Sequence, residues 1–329
     1  RVASLESSNN LVLTLARPMA TLGYKILPNA MLWDLDLSDR NFTSAIWYGV
    51  DLNSSGTKLI RANFTSASMY DSNFTLADAT SAVFVDSDLN RSDFRKSTFV
   101  NADMSQADMN GTNLTEANFT RVTFVGSDLR GAILTGGSFT DANFKQANLA
   151  NAVMNLADFN GTDFSNSRLT STNLSSSWFG ESNFSDSNLT DGNFTGAKLH
   201  GVDMNSSGSA KTIVTNAIFS EVEFKNAILD GVDLGGSQAI LSGTSGVLID
   251  HSGASFIGAD LLGVSLTYAN LQNANLNGAK NLSDVNLLKG ADISGAILTG
   301  TGITQAIVDA QRSAAAAADD IVYDGATIW

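Results

Sequence analysis

Cysteine is absent, proline occurs twice, and charged residues make up only 16% of the 329 positions. Without cysteine there are no disulfide staples and no thiolate metal ligands, and either redox environment is allowed. The charged fraction is well under that of ordinary globular domains, and Asn, Ser and Thr fill the gap. Acidic residues outnumber basic ones 33 to 19, for a net charge of −14 and a pI near 4.4. Such a chain gains nothing from releasing counterions on a phosphate backbone, so no direct nucleic-acid binding is expected. No apolar run approaches the roughly 18 residues of a spanning helix, so no membrane span is expected.

Catalytic chemistry is equally scarce. The only histidines are His200 and His251, both expected at the surface, and two histidines without cysteine make a poor zinc site. No nucleophile elbow, P-loop, HExxH or dinucleotide fingerprint occurs. The many aspartates, among them Asp88, Asp93, Asp103, Asp108, Asp128, Asp158 and Asp163, recur at one fixed place in a repeat rather than as an acid–base pair. No enzyme activity, cofactor or metal is expected.

What the sequence does contain is a period. Steps of five from Leu59 reach Phe64, Met69 and Phe74 and continue in phase to Leu234, with only Ala79 and Ser209 not large and apolar. Two residues before each stands Gly, Ala, Ser, Thr or Val. Five matches neither 3.6 nor 2.0, so neither a helix face nor an alternating strand accounts for it. It fits a chain that turns a corner every five residues, pointing one small and one large side chain inward on each side. A second period supports four sides per coil. Phe84, Met104, Phe124, Phe144, Phe164 and Phe184 form one ladder at 20-residue spacing. Phe99, Phe119, Phe139, Phe159 and Phe179 form another, and Leu89, Leu129, Leu149, Leu169 and Leu189 a third, broken by Met109.

These residues resemble the pentapeptide-repeat family, whose consensus is A(D/N)LXX. Here it reads ANFTS from Ala62, ADMSQ from Ala102, ADMNG from Ala107, ANLAN from Ala147 and ADLLG from Ala259. The resemblance implies an all-β fold, a right-handed quadrilateral parallel β-helix. About 13 coils at strand spacing would make a rod on the order of 60 Å long. The repeat is expected over residues 35–305, most regular over 57–236 and interrupted over 237–253. Asn53-Ser54-Ser55-Gly56 adds two residues, and the motif also weakens from Asn205 to Thr215.

Both ends differ from the repeat. Residues 1–34 form a cap segment whose alternating Leu11, Leu13 and Leu15 predict a strand. Residues 306–329 predict a helix and a terminal strand carrying Ile321, Tyr323, Ile328 and Trp329. Open solenoid ends need caps, or they pair with another chain. The seven named end residues are therefore candidate assembly contacts for a homo-oligomer or a head-to-tail filament.

The outward rows hold fifteen Asn-x-Ser/Thr sequons: Asn41, Asn53, Asn63, Asn73, Asn90, Asn110, Asn113, Asn118, Asn160, Asn173, Asn183, Asn188, Asn193, Asn205 and Asn281. They are candidate sites for covalent glycans on an exported chain. The repeat grammar, Asn before the central residue and hydroxyls after it, is the competing source of the same pattern. With a first residue, Arg1, that is not methionine, the sequons lead to an expectation of a non-catalytic extracellular or cell-surface structural protein. The alternative, implied by the resemblance, is a cytoplasmic acidic binding module of the DNA-mimic type that interacts with gyrase.

Overall fold

The five-residue step is a β-turn, and one repeat shows how it closes. Ala62 N–H donates to Leu59 O at 2.9 Å, and Arg61, third in that turn, has a φ of 57°. A left-handed residue at the third position alone is the type II arrangement. Asn63 N–H then donates to Arg40 O of the preceding circuit at 2.8 Å, and Phe64 N–H to Val83 O of the following one at 2.7 Å. Ser66 N–H reaches Val85 O at 2.8 Å. The remaining donor, Thr65 N–H, is accepted by Asn63 Oδ1 at 2.9 Å. All five N–H groups of the repeat are thus paired, as buried and half-buried backbone requires.

The computed structural model describes residues 29–205, 211–235, 241–242, 248–282, 288–312 and 320–329. Leu11, Leu13 and Leu15 lie outside the described residues. The chain divides into two units, Arg1–Asp158 and Phe159–Trp329, and each is a parallel β-solenoid. In the first, bridges join Asn63 to Val83, Val83 to Asp103 and Asp103 to Thr123. In the second, they join Asp163 to Asn183 and Asn183 to Asp203. Each pair is 20 residues apart, so four turns fill a circuit. Two short strands of the second unit, β1 (Ile249–Asp250) and β2 (Ala269–Asn270), pair in parallel with Ile249 opposite Ala269.

Every central residue from Leu59 to Met204 is buried, as is every small residue two before it. Rings stack from rung to rung. Phe64 and Phe84 have centroids 4.9 Å apart, Phe99 and Phe119 5.0 Å, and Phe124 and Phe144 4.5 Å in the first unit. Phe164 and Phe184, at 5.0 Å, repeat this in the second. These separations lie in the favourable range for offset aromatic pairs. Serine and threonine are tolerated at the small inward site because their hydroxyls donate to a turn carbonyl of their own or a neighbouring circuit. Ser87 Oγ donates to Phe84 O at 2.7 Å, and Thr112 Oγ1 to Met109 O at 2.8 Å, so no buried hydroxyl of this kind is wasted.

Register steps measure each interruption. Asp36 pairs with Lys58, 22 residues on, across the two extra residues of Asn53–Gly56. Asn188 pairs with Ile213 and Asp203 with Ile228, each 25 apart. This circuit is longer by one whole repeat although the five-residue phase never slips there, because adding five leaves the period intact. The circuit from Ile228 to Ser255 has 27 residues, and that from Asp292 to Val322 has 30. The last contains helix α1 (Gln305–Arg312), with Val308 buried. Among the described residues no helix is long and apolar enough to cross a membrane.

His251 departs from expectation. It is fully buried, with its ring centroid 5.9 Å from that of Phe224. It stands five residues before Phe256, in the place of a central apolar residue. Its Nε2 donates to Leu241 O at 3.0 Å, and its Nδ1 accepts Phe224 N–H at 3.3 Å. This neutral tautomer satisfies both nitrogens and ties Leu241, itself buried, to the core. Burial lowers the imidazole pKa from 6.5 to about 4. The unfolded chain therefore takes up a proton near pH 6.5 that the folded chain refuses until about pH 4. Stability should fall as pH drops through that window, by about 3 kcal/mol in all. Denaturation of wild type and His251→Phe between pH 7 and 4 checks this, and the variant should lack that component of the slope.

The left-handed turn position leaves its own mark. From Arg61 to Gly231 it never holds Val, Ile or Thr, whereas Thr65, Thr75, Thr80, Val85 and Val100 crowd the residue before it. A β-branched side chain is a true outlier at positive φ. Ser171, with a φ of 57°, provides a test: Ser171→Ile should destabilise by about 1–3 kcal/mol. Ser171→Gly should be neutral or slightly stabilising in the same melts.

Candidate binding face

The outward rows are mostly engaged with their own backbone. At Asn63, Asn113, Asn118, Asn188 and Asn193, Oδ1 accepts the N–H two residues on and also that residue's threonine hydroxyl, at 2.7 Å in each case. Asn41 with Thr43 and Asn173 with Ser175 do the same. At Asn73 and Asn183 the backbone bond is present. Aspartate makes the identical motif, as in Asp78 with Thr80 and Asp103 with Ser105. An Asn-x-Thr sequon is therefore one of two ways to build this Asx turn.

The remaining sequon asparagines are placed differently. Asn53, Asn110 and Asn205 donate backbone N–H to Asp51, Asp108 and Asp203. Asn90 donates its side-chain amide to Asp88, and Asn281 donates its own to Asp260 at 2.6 Å. Asn160 Oδ1 accepts Gly180 N–H at 2.6 Å. None of the fifteen lies in the core.

One face of the second unit is chemically distinct. Parallel bridges run from Trp178 to Lys198 and from Lys198 to Glu223. Trp178 occupies the outward site before Phe179, where the repeat usually carries Asn or Asp, and is 60% exposed. Lys198 Nζ pairs with Glu223 Oε1, while His200 Nε2 donates to Oε2 at 2.8 Å. His200 is outward, as expected. Burial pushes the Glu223 carboxyl up, but the two hydrogen bonds outweigh it and hold the group below its ordinary range. One circuit on, Lys225 Nζ lies 3.3 Å from Asp250 Oδ2. These pairs span the 25- and 27-residue circuits and help to hold them in register. Asn160, Trp178, Gly180, Lys198 and His200 line an open cleft of about 240 Å³. Among the described residues no group of three His, Asp or Glu could hold a metal.

The C-terminal residues pair within their own chain. Val322 bridges Asp292, and Ile328 bridges Ile297. Ile321 is buried, Ile328 is half exposed, and Tyr323 donates to Asp309 while its ring meets Trp329 edge-on at 5.3 Å.

A family model described as pentapeptide repeats matches residues 57–96, 97–136, 138–175, 167–205 and 252–280, eight copies over more than half of the sequence. The chain belongs to the pentapeptide-repeat family. No curated protein matches it. Among solved structures, HetL, a pentapeptide repeat protein involved in heterocyst differentiation regulation in the cyanobacterium Nostoc sp., is 18% identical. The match covers 74% of this chain and 92% of HetL, with a TM-score of 0.29. A trypsin-treated form of QnrB1, a plasmid-mediated fluoroquinolone resistance protein, is 16% identical over 49% of this chain and 84% of its own, with a TM-score of 0.35. A pentapeptide repeat protein of the Arabidopsis thaliana thylakoid lumen is 24% identical over 33% and 63%, with a TM-score of 0.14. With scores this low, membership rests on the repeats themselves.

In this pentapeptide-repeat chain the Asx turn gives a direct test of where the sequons come from. Asn113→Asp should leave the melting temperature unchanged, because a carboxylate oxygen replaces Oδ1. Asn113→Ala should lose about 0.5–1.5 kcal/mol.

Proposed function

We propose that this pentapeptide-repeat protein is a non-catalytic binding module that engages a protein partner through the Trp178 face. The observation that carries this reading is an exposed tryptophan beside an open cleft, at an outward position where the repeat most often carries Asn or Asp. Tryptophan is prominent among the few residues that dominate protein interfaces. In quantitative affinity capture from the native source, Trp178→Ala should weaken binding of a discrete partner by about 30-fold, as a 2 kcal/mol hot spot would. Thr120→Ala, on a face of the first unit, should leave capture intact. Equal capture by both variants would sink the proposal.

Export, N-linked glycans and head-to-tail polymerisation at the cell surface draw less support. The sequons have a local structural cause, and Ile321 is already buried in its own chain. A second reading is the acidic module that acts on gyrase. The observation in its favour is the ladder Asp88, Asp108 and Asp128, bridged rung to rung in the first unit. Protection or inhibition in a gyrase supercoiling assay would move the functional surface there. In either reading the solenoid winds right-handed with about 13 coils at strand spacing.

A further inference from the structure

We infer that the corner formed by Trp178, Lys198 and His200 takes a carboxylate from an acidic segment of the protein partner, with Glu223 as its built-in competitor. The inference rests on the binding-module reading and names the chemistry of what binds. Lys198 and His200 stand two residues apart on one rung, and both reach the single carboxylate of Glu223 on the next. The ammonium has three donors, of which Oε1 takes one. The same two side chains line the cleft with Trp178, Asn160 and Gly180.

Around that cleft the acceptors are already engaged. Asn160 Oδ1 receives Gly180 N–H, and Glu223 receives Lys198 and His200. The indole of Trp178 adds an N–H donor and an apolar face. A carboxylate brings acceptor oxygens to a rim of donors, two of them on bases, and charge-assisted hydrogen bonds are the stronger kind. In a chain of net charge −14 the long-range field opposes every anion. The carboxylate must therefore arrive on a segment whose apolar part covers Trp178 and offsets that repulsion, which points to a protein rather than a small anion.

Full-length protein labelled with 5-fluorotryptophan reports on its four tryptophans by ¹⁹F NMR, with Trp178 assigned from Trp178→Phe. The probe is an acetylated peptide of four glutamates around one leucine, compared with its all-glutamine counterpart and with sodium acetate. The glutamate peptide should shift the Trp178 resonance alone. Lys198→Gln should weaken binding about fivefold, and Glu223→Gln should tighten it about fivefold, each near the upper limit for an exposed ion pair. Glu223→Gln keeps the proposal testable even if the lysine variant fails to fold. No shift at millimolar peptide, equal binding of the glutamine peptide, the same shift from acetate, or unchanged affinity in Glu223→Gln would each overturn it. Partner capture lost in Trp178→Ala but unaltered in Lys198→Gln and Glu223→Gln would refute the carboxylate and spare the binding module. Capture unaltered in all three would refute both.

Discussion

A chain that turns every five residues has only a short extended stretch on each side in which to pair its amides, so every donor must find its acceptor at once. The repeat meets this with three bonds to neighbouring circuits, one turn bond and one Asx bond. Each position follows from one of these demands. The left-handed third turn residue excludes β-branched side chains. The residue before the centre is most often Asn or Asp, whose side-chain oxygen reaches the N–H two residues on. The small inward residue is Ala, Gly or Val, or a Ser or Thr whose hydroxyl can bond a turn carbonyl. The consensus is a list of hydrogen-bond obligations written in side chains.

The core inherits its order from that backbone. Once circuits are spaced as strands, residues 20 apart must stack, and ring stacks such as Phe74 on Phe94, with centroids 4.8 Å apart, are the packing that results. Tolerance of insertion follows as well. Each circuit contacts its neighbours alone, so a circuit can carry 22, 25 or 27 residues and the ladder still continues beyond it, while the last described circuit carries 30. The longer circuits come with their own ties: Lys198 to Glu223, Lys225 to Asp250, and His251 to Leu241.

The outward positions are the ones this logic constrains least. An outward Asn or Asp already serves the backbone. Where the outward row instead holds Trp178, Lys198 and Glu223, the residues owe the turn nothing, and the geometry they share is set by stacking alone. A tryptophan left 60% exposed there adds nothing to the core.

The solenoid was legible because its period is local: Leu59 to Leu234 in steps of five, with ring ladders at 20, already specify a four-turn circuit. The buried place of His251 was legible too, since it stands five before Phe256, but chemical habit assigned it to the surface. The 25-residue circuit was hidden, because an insertion of one full repeat preserves every spacing that a sequence displays. For the same reason the cluster of Trp178, Lys198, His200 and Glu223 could not be assembled by counting in twenties: Lys198 and Glu223 meet only across that longer circuit. The amino-acid order determined the turn, the inward rows and the Asx bonds, since each is closed within a few residues. Which outward side chains become neighbours was decided by the register between circuits, which depends on how much chain each insertion carries out of the ladder.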